Sequence, residues 1–126
     1  VELNEVFGWT WIVAGFLSGT LLGLRFHRDD WLGGYASLRR RLIRLGHISF
    51  LGLGILNILF ASSAARLALP PALLGVASWA MIVGAVTMPA CCALMAWKRS
   101  WHAAFAVPVT SLVLGAALVV AGALGR

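Results

Sequence analysis

"RRRLIRLGHISFLGLGILNILFASSAA", residues 39–65, sets four arginines against a run, 45–65, that carries no charge at all. A helix rises about 1.5 Å per residue, so about 20 apolar residues cross the hydrocarbon core of a bilayer. This run meets that length. Residues 6–24, 67–97 and 100–125 are also uncharged and long enough. Pro70-Pro71 interrupts the third of these, so its helix is expected to begin near Ala72. In lipid every backbone amide must find its partner within the segment, which makes such runs helices. The expected fold is all-α: a polytopic integral membrane protein, a single four-transmembrane-helix bundle over residues 1–126. Its spans are expected at about 6–25, 45–65, 72–97 and 101–124.

Composition supports lipid as the solvent. Of 126 residues, 61% are hydrophobic and 11% charged, with a mean hydropathy of +0.93. A water-soluble domain this short leaves too much surface exposed to hide that content. The net charge of +6 raises nucleic acid as a partner. The basic residues, however, flank apolar runs instead of forming a stripe with interleaved aromatics, which points to anionic headgroups and topology. No nucleic-acid partner is expected.

The charges also set an orientation. Arg25, Arg28, Arg39, Arg40, Arg41 and Arg44 lie between the first two spans, and Lys98 and Arg99 between the last two. Only Arg66 and Arg126 lie on the other side. Basic loops stay in the cytoplasm, so both termini are expected to be non-cytoplasmic, most simply in a bacterial inner membrane. Trp9 and Trp11 would mark the outer interface, Trp97 and Trp101 the inner one. Gly33-Gly34 punctuates the long basic loop, and residues 35–44 are expected to form a basic helix lying along the membrane, with Arg39, Arg40 and Arg41 meeting lipid headgroups. The opening "VELNEVFGW" has no basic region ahead of its apolar run and is not expected to be a signal peptide.

Helices in lipid associate through close packing and hydrogen bonds. Gly15, Gly19 and Gly23 form a double GxxxG face on the first helix, open either to a neighbouring helix or to another subunit. Gly54, Ser111 and Gly115 offer further close contacts. Asn57 is the one strongly polar side chain deep in a span and is expected to bond across to another helix. Cys91 and Cys92 are adjacent in an apolar run and fit neither a disulfide framework nor a metal site, so they are read as small buried hydrophobes.

Two histidines carry the functional expectation. His47 follows Arg44 by three residues and His102 follows Arg99 by three. Each imidazole should therefore lie about 4.5 Å deeper than its arginine. Two nitrogen ligands at one depth, with cations above for propionates, match a b-type haem, with Met95 as an alternative axial ligand. Against this, an imidazole near an interface is inexpensive and often bonds only a headgroup or a loop carbonyl. A quinone or lipid at the same level is the competing ligand, and no metal site is expected.

No Asp, Glu or Lys lies deep within any span, so neither acid–base catalysis nor proton pumping is expected. The leading expectation is a small non-catalytic subunit of a larger redox, respiratory or photosynthetic membrane complex, acting as a scaffold among other transmembrane subunits. The alternatives are a stand-alone transporter or channel assembled as a homo-oligomer through the triple-glycine face, and a di-histidine b-type cytochrome.

Overall fold

A computed structural model describes residues 1–125. Four long helices run in chain order: α1 (Glu2–Phe26), α2 (Leu38–Ala64), α3 (Pro71–Trp97) and α4 (Ala106–Leu124). All four segments are long and apolar enough to cross a membrane, the last counted together with the 3-10 turns Arg99–Phe105 that lead into α4. The molecule is an integral membrane four-helix bundle. Large apolar side chains such as Phe16, Leu17, Leu21 and Leu24 stand exposed on its outside. In water that would be costly, whereas in lipid it costs nothing.

The helices are laid side by side in sequence order: α1 on α2, α2 on α3 and α3 on α4, with only a narrow meeting of α1 and α3. The start of α1 and the end of α4 share one end of the bundle. Eight basic residues gather at the other, and of the two remaining only Arg66 can be placed, because Arg126 lies outside the described residues.

At the terminal end the interior is closely packed. Phe60 of α2 and Ala77 and Met81 of α3 form its centre, flanked by Leu112, Leu118 and Val119 of α4. Gly115 of α4 gives room for Met81, whose side chain lies 3.2 Å from where a Cβ would stand. Ser111 sits half-buried one turn away.

α1 and α2 cross at Gly8 and Gly54. A Cβ on Gly8 would stand 2.6 Å from the Gly54 carbonyl oxygen, and one on Gly54 would stand 2.8 Å from that of Gly8. Only hydrogen fits at either position. Gly15 and Gly19 continue this seam against Leu51 and His47, but Gly23 faces open space. The triple-glycine face is therefore split. Two of its members are already covered by α2, which removes the geometric basis for a homo-oligomer docked through all three.

The basic loop departs from expectation. Residues 35–44 do not form a separate helix along the membrane; from Leu38 onward they are the first turns of α2, which runs unbroken for 27 residues, about 40 Å. Ser37 explains the start. Its Oγ accepts the Arg40 N–H at 3.2 Å and donates to the Leu32 carbonyl at 2.6 Å, capping the helix seven residues before the uncharged run. The preceding chain reverses through Leu32, Gly33 and Gly34, all with positive φ (54°, 87° and 95°). Gly34, at ψ 170°, occupies a region that is essentially restricted to glycine.

Candidate functional site

Three places in the bundle bring polar side chains of one helix against another element. At the terminal end, Asn4 donates to Asn57 Oδ1 at 2.8 Å and to the Ser78 carbonyl at 3.1 Å, and it accepts from Ser78 Oγ at 2.5 Å. Asn57 donates in turn to the Leu53 carbonyl at 2.9 Å. Asn4 and Asn57 are both 0% exposed. This knot ties α1, α2 and α3 and leaves no unpaired group for a ligand. Asn4 lies before the expected first span and was not foreseen in it.

At the basic end, arginines close helix C-termini, where carbonyls lack intrahelical donors and the helix dipole is negative. Arg40 donates from Nη1 to the Arg28 carbonyl at 2.8 Å and from Nη2 to the Phe26 carbonyl at 2.5 Å. Its guanidinium carbon lies 3.7 Å from the Tyr35 ring centroid, 4.4 Å from that of Phe26 and 5.5 Å from that of Trp31. Arg40 is only 2% exposed. It does not face lipid headgroups, because the end of α1 and three aromatic rings enclose it. Arg39 donates from Nε to the Ala96 carbonyl at 2.9 Å and thereby caps α3. Arg41, Arg44 and Arg99 are exposed.

The third place is a cleft of about 460 Å³, within the range of small-molecule sites. α2 forms its floor with Leu42, Ile43, Gly46, His47 and Phe50. α1 and α3 form its walls, α1 with Trp11, Ser18 and Leu22 and α3 with Val86, Pro89 and Ala93. Because α1 and α3 scarcely meet, this V-shaped space opens toward the surrounding lipid. Its lining contains no Arg, Lys, Asp or Glu.

Two arrangements shape the cleft. Trp11 closes its deep end. The indole stacks on Phe7 at 4.8 Å and tilts against Phe50 at 5.0 Å, while Nε1 donates to the Ala85 carbonyl of α3 at 3.1 Å. Trp11 therefore does not mark an interface; it reaches across the bundle. His47 is the second. Its Nδ1 lies 3.0 Å from Ser18 Oγ, and its ring slides beneath Gly19, where a Cβ would stand 2.6 Å from Cε1. Among the described residues Nε2 has no hydrogen-bond partner, and it is not sealed from its surroundings.

The remaining expected ligands lie elsewhere. Met95 and Arg99 line a separate groove with Leu38, Arg39, Ala96 and Trp97. His102 is exposed on the 3-10 turns before α4, with Nδ1 3.3 Å from the Arg99 carbonyl. His47 lines the first cleft and His102 lines neither it nor that groove, so the two imidazoles do not face each other across a shared site as their matched spacing suggested. No group of three or more His, Cys, Asp or Glu is placed to hold a metal among the described residues. Cys91 and Cys92 are free and buried, and the Cys91 thiol donates to the Ala104 carbonyl at 3.4 Å.

Missed at the level of sequence were Ser18 as the partner of His47 and Trp11 as a wall of the cleft. Pro89 was the available signal. A proline inside a helix has no N–H to give the carbonyl four residues earlier, here Ala85, so another donor is required. Compared with family models, with curated proteins and with solved structures, the chain matches none.

Proposed function

We propose that the protein is a small non-catalytic transmembrane subunit that holds a neutral, ring-bearing lipophile of the quinone class in the α1–α2–α3 cleft. One observation carries this reading: an apolar cleft open to lipid, with the unpartnered Nε2 of His47 as its recognition atom. Sites for small lipophiles combine apolar walls with very few polar groups that fix orientation. A phospholipid phosphate would need a cation, and none lines the cleft. A quinone ring is flat and uncharged, with an oxygen at its edge for the imidazole and a face for Trp11 and Phe50.

In this reading the chain belongs to a redox assembly whose electron-carrying groups reside on partner subunits. Its basic end faces the cytoplasm of a bacterial cell, as the distribution of arginine favours. Purification in mild detergent, followed by solvent extraction and mass spectrometry, tests the proposal. A quinone recovered near one per chain from wild type, and lost from His47→Phe, supports it. Phospholipid alone at the site, or a Soret band that disappears with His47→Phe, overturns it.

A further inference from the structure

If the cleft holds a quinone, as proposed, the chemistry of His47 bears on which redox form it holds. Ser18 has one hydroxyl proton. The Gly15 carbonyl is placed to accept it, 2.9 Å from Oγ. The same oxygen lies 3.0 Å from His47 Nδ1, and with its proton directed elsewhere it acts as an acceptor. The pairing that satisfies both contacts places the imidazole proton on Nδ1. In a neutral imidazole the second nitrogen then carries a lone pair and no hydrogen. In this tautomer Nε2 is an acceptor, and it has no donor from the chain.

We propose that the cleft selects the reduced, hydroxyl-bearing form of its ligand, a hydroquinone, over the oxidised carbonyl form. A hydroquinone supplies the O–H that Nε2 accepts. An oxidised quinone presents only carbonyl oxygens at its ring edge, and these meet another lone pair. To bind it, the imidazole must move its proton to Nε2, and Ser18 must turn its own proton from Gly15 to Nδ1. The ligand then gains a donor at the expense of one internal hydrogen bond. One such bond corresponds to a preference of about fivefold. Ser18 is therefore a positioning residue: it sets the tautomer, while His47 meets the ligand.

The test titrates purified protein in detergent with decylubiquinol and decylubiquinone, read by quenching of tryptophan fluorescence. Wild type is expected to bind the quinol about fivefold tighter. Ser18→Ala is expected to abolish that preference, because Nδ1 no longer has a fixed acceptor. Equal or tighter binding of the oxidised form by wild type overturns the selectivity and leaves the quinone reading standing. So does a preference that persists in Ser18→Ala. Binding of neither form overturns both. Nitrogen-15 NMR of histidine-labelled wild type gives an answer independent of any variant: a proton on Nδ1 of His47 is expected, and a proton on Nε2 overturns the proposal.

Discussion

Trp11 supplies to Ala85 the hydrogen bond that α3 cannot. The Ala85 carbonyl would be paired in an uninterrupted helix with the N–H of residue 89, and that residue is Pro89. The indole Nε1–H, arriving from α1 at 3.1 Å, takes its place. Removing the donor leaves a carbonyl unpaired where water is scarce. Trp11→Phe is expected to cost about 1 kcal/mol, typical of an interhelical bond in a membrane. Pro89→Ala restores a donor within α3, so the cost of Trp11→Phe should fall in that background. A double-mutant cycle measured by denaturation in mixed micelles checks this, and strictly additive effects would contradict the assignment.

The crossing of α1 and α2 predicts a sharp contrast among glycines. Gly54→Ala places a methyl group against the Gly8 carbonyl and the Ile12 side chain. Backbone cannot yield as a side chain does, so the helices must separate, at about 1–3 kcal/mol. Gly23→Ala and Gly52→Ala meet nothing within 4 Å and should be neutral or slightly stabilising through helix propensity. Thermal unfolding in one detergent ranks all three. A Gly23→Ala loss as large as that of Gly54→Ala would place the seam elsewhere.

Arg40 predicts that charge alone is insufficient at its position. Lysine keeps the charge but cannot span two carbonyls in a fixed fork or stack flat among three rings. Arg40→Lys should therefore lose most of what Arg40→Ala loses, about 2–3 kcal/mol given two hydrogen bonds from a charged donor. Arg41→Ala, at an exposed position, should change stability by less than about 0.5 kcal/mol. Limited proteolysis of the loop 27–37 provides the readout: rapid cleavage in both Arg40 variants and wild-type resistance in Arg41→Ala.

On the quinone reading, Gly19 links stability to ligand binding through His47. Gly19→Ala brings a Cβ to within 2.6 Å of His47 Cε1, so the imidazole must turn away from Ser18. The ring is the movable partner, and the fold should survive with a loss of about 1 kcal/mol. Quinol affinity should fall about fivefold, as expected when one hydrogen bond is lost. Retention of full affinity in this variant would show that His47 does not need its present orientation.

The architecture was legible because charge and hydropathy divide the chain cleanly. The uncharged runs around Ile12, Leu56, Val83 and Leu118 each lie within a helix long enough to span. What could not be read is which way each helix turns. A span in lipid is apolar on every side, so α1 has no hydrophobic stripe to mark its buried face. Gly15, Gly19 and Gly23 look alike in sequence, yet Gly23 packs on nothing. The role of Asn4 depends on Asn57 and Ser78, far away in the chain, and no local pattern reports such a meeting. Arg40 was indistinguishable from Arg39 and Arg41, because a position in a basic triplet does not reveal which side chain turns inward. The two histidines matched only in their spacing from an arginine: His47 lies well inside α2, which starts earlier than its uncharged run, whereas His102 sits on the 3-10 turns before α4, which pack on α3 and α4.

The knot at Asn4 and the clasp of Arg40 on the Phe26 carbonyl hold opposite ends of the first helix. A stave fastened top and bottom cannot swing outward like a door. On the quinone reading, the ligand of His47 must then slide sideways out of the bilayer, thin edge first, through a slot whose width the two fasteners have already set. Loosening either one should hasten both arrival and departure of the guest, even though neither fastener touches it.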